Sequence, residues 1–233
     1  MRSIRSILTG KLHIIILATA ALLPAAALAD SDGNAARTPD AASCFLELQT
    51  DALDILPRTV RFDMLEYFKA DSVYMATNAM GGKSFLREVG PGFLEVQITD
   101  VSSMQIKLLP SRKNGEIIAT IYTVGGSGQA PDSELRFYDQ ELKSIPAGKL
   151  MPRMELKHFF EIPRGSVTTM KEIEQTVPFP TIEFKASPDS GSLSARLTIE
   201  GFMNQDDYNV IRLFEKPGLI LDWDGSKFRF RKD

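Results

Sequence analysis

Residues 94–124, LEVQITDVSSMQIKLLPSRKNGEIIATIYTV, decide the fold. Leu94, Val96 and Ile98 alternate with Glu95, Gln97 and Thr99; Met104, Ile106 and Leu108 alternate with Gln105 and Lys107. Successive side chains of a strand point to opposite faces, so both runs predict strands buried on one face. Glu116 to Val124 differs. Ile117, Ala119 and Ile121 make one apolar face, and Ile118, Tyr122 and Val124 make the other. A strand apolar on both faces belongs in the covered middle of a sheet. The short link Lys113-Asn114-Gly115 implies an antiparallel hairpin between such strands.

Working outward, the spacing predicts a helix over 54–69. Asp54 precedes it, Pro57 suits its first turn, and Val60, Met64 and Phe68 recur on one face with Leu65 beside them. Leu135, Phe137 and Tyr138 mark a strand after a Gly125–Asp132 loop. Residues 144–155, with Pro146, Gly148 and Pro152, read as a connection, and His158 to Ile162 as a short extended segment. Ser166 to Thr176 suggests a short helix opened by Ser166. Ile182, Phe184 and Ala186, then Leu193, Ala195, Leu197 and Ile199, form a hairpin about Pro188–Gly191. Asn204 is placed to cap a helix with Asp207 as its reciprocal partner, and Pro217-Gly218 stops that helix.

At the C-terminus Asp224-Gly225 signals a two-residue turn. Taking those two as the loop pairs Asp222 with Lys227, Leu221 with Phe228 and Leu219 with Phe230. The fold class expected is α+β: antiparallel sheets with packed helices in two similar helix-plus-sheet halves, 44–143 and 156–233, joined by 144–155.

The N-terminal 29 residues read as a cleaved export signal. Arg2, Arg5 and Lys11 are basic, Leu12 to Leu23 is apolar, and Ala27-Leu28-Ala29 offers small residues for cleavage. A flexible arm is expected over 30–43. With the leader removed, 27 basic residues fall to 24 against 30 acidic ones, a net −6, which disfavours nucleic acid as a partner. No transmembrane segment is expected afterwards. The location implied is periplasmic or extracellular in a Gram-negative bacterium.

The remaining inventory excludes several chemistries. One histidine, His158, and one cysteine, Cys44, cannot make an intramolecular disulfide or a Cys/His zinc site. Cys44 reads as a small buried hydrophobe rather than a lipidation site, because a polar stretch separates it from the apolar leader. His158 reads as a residue with one satisfied nitrogen, and its pairing with Cys44 as remote. Gly81-Gly82-Lys83-Ser84 ends like a phosphate-binding loop but has Thr77 where the pattern needs glycine, and an extended run follows. Gly125-Gly126-Ser127-Gly128 lacks nearby cations and reads as a hairpin loop. Asp222, Asp224 and Gly225 lack the spacing of a calcium loop. Asp206-Asp207 suits a helix N-terminus, and Glu172 and Glu174 suit solvent. Lys227, Arg229, Arg231 and Lys232 alternate with Phe228 and Phe230 as on an edge strand, where such charges discourage aggregation.

Several short motifs carry a family resemblance: Leu56-Pro57 with Arg61, Asp63 and Phe68; Asn78 with Gly81 to Ser84; Leu108-Leu109-Pro110; Tyr122-Thr123-Val124; Asp132-Ser133 with Phe137-Tyr138; and Trp223. In these the chain resembles a family of exported Bacteroidales proteins known only as a domain of unknown function, over about residues 45 to 230. The resemblance implies export and a single family-wide unit, and no activity or cofactor. The expectation is a non-catalytic binding or envelope-associated protein, with no cofactor, no metal site and no catalytic residue, whose partner is an envelope component or a protein. The alternatives are a carboxylate-dependent hydrolase of glycan or peptide and a protein-partner module of inhibitor or chaperone type. The loops offered for ligand contact supply Asn78, Lys83 and Ser84, and Asp132 and Ser133.

Overall fold

A computed structural model describes residues 39–113, 115–126 and 129–232. The expected export leader (residues 1–29), the 30–38 part of the expected arm, Asn114, Ser127-Gly128 and Asp233 lie outside the described residues. Seven strands form one antiparallel meander: β1 (Ala76–Thr77), β2 (Lys83–Gly90), β3 (Phe93–Thr99), β4 (Ser102–Ser111), β5 (Gly115–Val124), β6 (Asp132–Tyr138) and β7 (Ser144–Ile145). Four more form a second antiparallel sheet in the order β11-β10-β9-β8: β8 (Ile182–Ala186), β9 (Ser192–Leu197), β10 (Leu219–Trp223) and β11 (Phe228–Phe230). The architecture is α+β, with helices α1 (Ala41–Glu47), α2 (Arg58–Lys69), α3 (Met170–Thr176) and α4 (Gln205–Ile211).

The two apolar faces of β5 account for the layering. Ile118 joins Leu94, Val96, Ile98, Met104, Ile106 and Leu108 beneath α1 and α2. Ile117, Ala119 and Ile121 join Phe137, Phe184, Leu193, Leu197 and Leu221 in a second core under the smaller sheet. The middle of the large sheet is thus covered on both faces, by helices on one side and by strands on the other.

Helix α1 corrects the expected arm. Residues 41–43, assigned to the arm, are its first turn. Asp40 caps it by accepting the Ser43 N–H, Ser43 returns the bond, and Ala41, Cys44, Phe45 and Leu48 are buried. The first half therefore carries two helices, not one. Arg61 of α2 ties them together. Its guanidinium is buried and donates to the carbonyls of Phe45 (2.5 Å) and Leu48 (2.9 Å), acceptors that the end of α1 would otherwise leave unpaired.

In the second half, α3 is capped by Thr169, which exchanges hydrogen bonds with Glu172, rather than by Ser166. Asn204 caps α4 through the amides of Asp206 and Asp207, with no return bond from Asp207 among the described hydrogen bonds. His158 to Ile162 is not a strand. Leu156–Phe159 is a 3-10 turn, and Phe160 bridges to Glu215.

The terminal hairpin is displaced from the expected register by two. Trp223 pairs with Phe228, Asp222 with Arg229 and Leu221 with Phe230. Asp224 explains the shift. Its carboxylate accepts the amides of Ser226 and Lys227, so it closes the turn and Gly225-Ser226 form the tip, with Gly225 at φ +89°. A shift of two keeps every side chain on its face, so apolar residues still meet apolar ones.

The two sheets are joined by side chains of each layer that take up backbone groups of the other. Along the outer edge of β8, Ile182 N–H donates to Asp132 Oδ1 (2.9 Å), Phe184 N–H to Ser133 Oγ (3.0 Å) and Ala186 N–H to Gln105 Oε1 (2.9 Å). Lys107 Nζ donates to the Pro188 carbonyl (2.7 Å), Trp223 Nε1 to the Pro110 carbonyl (2.7 Å) and Thr198 Oγ1 to the Pro131 carbonyl (2.6 Å).

Two outcomes test these ties. Arg61→Met keeps the bulk but strands the two carbonyls of α1, and should cost about 3 kcal/mol in equilibrium denaturation. A loss under about 0.5 kcal/mol, the size of an ordinary surface change, would contradict the assignment. The double substitution Asp132→Ala, Ser133→Ala should cost about 2 kcal/mol, limited because water can reach Asp132. Amide exchange at Ile182 and Phe184 should quicken with it, and unchanged protection there would show that β8 does not depend on these acceptors.

Candidate functional site

Sheet pairing leaves part of the second face of β2, β3 and β4 open, beyond the reach of the smaller sheet. Polar positions of the alternating strands point there: Arg87 from β2, Glu95 and Gln97 from β3, Ser103 and Gln105 from β4. Strand β8 supplies a wall through Glu183, Phe184 and Lys185, and Asp100, Val101, Gly125 and Gly126 close one end. The result is a cleft of about 350 Å³.

Its charges are arranged in pairs. Arg87 lies 3.1 Å from Glu95, whose other oxygen accepts from Gln105 Nε2 at 2.7 Å. Glu183 meets Lys185 at 3.0 Å and Arg196 at 2.9 Å. Burial raises the Glu183 carboxyl, but the hydrogen bonds from Lys185 and Arg196 outweigh it together with their charges, and the net displacement is downward. Gln97 is enclosed. Its amide nitrogen donates to the carbonyls of Thr99 and Ser102, and its Oε1 has no hydrogen-bond partner among the described residues.

The residues expected to contact ligand are placed elsewhere and given other work. Asn78 and Ser84 are buried, and their side chains are used inside the protein. Asn78 Oδ1 accepts from the amides of Met80 and Gly82, its Nδ2 donates to Ser84 Oγ and to the Ile98 carbonyl, and Ser84 Oγ donates to the same carbonyl. This is a stapled tight turn, with Gly81 at φ +83°. Lys83 is exposed and donates to Thr77 Oγ1. Asp132 and Ser133 hold the edge of β8. The two groups sit four strands apart in the large sheet, about 19 Å at about 4.8 Å per strand, so they do not form one site. The loop expected with Asp132 and Ser133 reaches the cleft through Gly125 and Gly126 instead.

Cys44 and His158 do not meet. Cys44 lies in the helix-side core, where burial, with the carboxylates of Asp40 and Glu116 adding to it, pushes the thiol up to about 12. His158 Nδ1 accepts the Glu155 amide, and its ring packs 4.7 Å from that of Phe230 on the other side of the sheet. Among the described residues no group of three or more His, Cys, Asp or Glu is placed to hold a metal ion.

The cleft residues were not marked out by the sequence. Glu95, Gln97 and Gln105 read as the solvent side of half-buried strands, and only the packing of β8 beside them turns that side into a recess.

Comparison with known proteins places the fold. A domain of an uncharacterized protein from Porphyromonas gingivalis W83 has a similar structure, with a TM-score of 0.69 and 20% identity, over 82% of this chain and 98% of that one. No protein of curated function matches the sequence. The model of the family described as "Protein of unknown function (DUF3256)" matches residues 35–228, and the chain belongs to that family.

Proposed function

We propose that this is an exported, non-catalytic binding protein of the bacterial envelope, and that the cleft between β2–β4 and β8 receives a neutral, polyhydroxylated ligand of the glycan class. The observation that carries the reading is the pairing of the cleft's charges. Arg87 answers Glu95, and Lys185 with Arg196 answers Glu183. With Glu95 and Glu183 already paired, the floor and wall of the recess gain little from a charged ligand. It still offers hydrogen-bonding groups at Arg87, Ser103 and Lys185 to a ligand rich in hydroxyls.

Three carboxylates, Glu95, Asp100 and Glu183, border the same recess, and a pair of them is the feature a hydrolase would need. The electrostatics favour binding over that alternative. A general acid must keep its proton near neutral pH, and the cations around Glu183 displace its carboxyl in the opposite direction. Export rests on the basic, apolar and small-residue pattern of residues 1–29.

Calorimetric titration with short envelope oligosaccharides tests the reading. Arg87→Ala and Lys185→Ala should each weaken binding by about tenfold while leaving thermal stability nearly unchanged, since both side chains are exposed and their ion pairs contribute little to folding. Equal affinity in both variants would remove the cleft as the site. Release of shortened saccharide during prolonged incubation would replace the binding reading with the hydrolase.

A further inference from the structure

The outer edge of β11 has a chemistry unlike the rest of the molecule. It faces the Gly148–Pro152 segment across a groove of about 450 Å³. Five cations line the groove (Lys149, Lys227, Arg229, Arg231 and Lys232) and, among the described residues, no carboxylate does, on a chain whose formal charge is −3. The two arginines are engaged, Arg229 with Asp224 and Arg231 with Asp222 at 2.7 Å. Lys149, Lys227 and Lys232 are exposed and form no ion pair among the described residues.

The backbone of this edge is also open. Arg231 N–H donates inward to the Ile220 carbonyl of β10 (2.7 Å), and Phe228 N–H donates outward to the Leu150 carbonyl (2.8 Å). Alternation along the strand therefore turns the N–H and C=O of Phe230, two residues beyond Phe228, outward. No hydrogen bond from that N–H is formed among the described residues. Met151 and the ring of Phe230, both packed against the second core, give the groove an apolar floor.

We propose that this edge is a docking site for an extended acidic polypeptide segment of a partner protein, which pairs with the backbone at Phe230 and sets its carboxylates against the unpaired lysines. The combination selects the occupant. An acidic polysaccharide or an anionic membrane would satisfy the lysines but could not complete a strand edge, whereas a peptide does both. The same charges repel β11 of a second copy, so the edge is closed to self-association while open to a strand of opposite sign.

The test uses the full chain and a fluorescein-labelled decapeptide of alternating valine and glutamate, followed by anisotropy. Saturable binding that weakens as salt is raised is expected. The triple variant Lys149→Glu, Lys227→Glu, Lys232→Glu should weaken it by at least about tenfold. Because all three lysines are exposed, an unchanged melting temperature should accompany the loss. A peptide N-methylated at alternate residues keeps its charge but loses strand hydrogen bonds, and should bind about tenfold more weakly. Arg87→Ala, in the cleft, should leave peptide binding unaltered, which separates this site from the one above. Absence of binding overturns the proposal. So does equal binding of the N-methylated peptide, or tighter binding of a sulfated oligosaccharide or of phosphatidylglycerol vesicles, since each of these reduces the edge to a general anion-binding surface.

Discussion

A sheet edge leaves every second N–H of its outer strand without a partner, and in a packed interior each such group costs about 1–3 kcal/mol if left unmet. Strand β8 lies at such an edge and is pressed against the large sheet, where another strand cannot be added. The molecule answers with side chains. Asp132, Ser133 and Gln105 accept the amides of Ile182, Phe184 and Ala186 in succession. Those three bonds fix the height and angle at which the small sheet sits, and so decide how much of the large sheet remains open. The cleft is what they leave over. Its wall is the same strand, through Glu183 and Lys185, and Gln105 belongs to both structures: it accepts from Ala186 and donates to Glu95 on the cleft floor.

The same device recurs across the fold, and it gives physical meaning to the motifs that tie the sequence to its family. Arg61 bonds to the carbonyls at the end of α1, Asn78 and Ser84 to that of Ile98, Asp132 and Ser133 to the amides of β8, and Trp223 to the carbonyl of Pro110. Each is a side chain satisfying backbone far away along the chain, at a point where one element ends or two layers meet. In the structure these side chains secure the scaffold. By contrast, the ion pairs on the outside, such as Lys69 with Glu66 or Lys143 with Glu141, are well exposed and add little.

This division also explains what could be read in advance. Strand faces are written in period two, and the two-faced run from Glu116 to Val124 announced a central, covered strand. The register of the terminal hairpin was legible only to within two residues, because a shift of two conserves every face and the Asp224 carboxylate settles the choice. Helix α1 was legible in principle: Ala41, Cys44, Phe45 and Leu48 have helical spacing behind an Asp-x-x-Ser cap, but the alanine- and serine-rich stretch before them masked the start. The staples were not legible. Asp132 and Ile182 are 50 residues apart, Gln105 and Ala186 are 81 apart, and nothing in local periodicity links them. The cleft inherits that limit, since its existence depends on where the staples place β8.

Charge completes the argument. Inside the cleft Glu95 and Glu183 are each matched by a cation held on the same scaffold, while Asp100 stands at one end. At the outer edge of β11 the balance is broken: Asp222 and Asp224 neutralise the arginines of the hairpin, while Lys149, Lys227 and Lys232 are unmatched among the described residues. An edge strand needs protection from its own kind; Leu150 covers this one at Phe228, and unbalanced like charge guards the backbone at Phe230 without covering it. Protection by charge at Phe230 has a consequence that follows from sign alone: whatever it excludes, it admits the opposite. The two edges of the small sheet therefore differ in kind, β8 sealed by neutral and acidic acceptors from within the fold, and β11 left open behind a cationic screen.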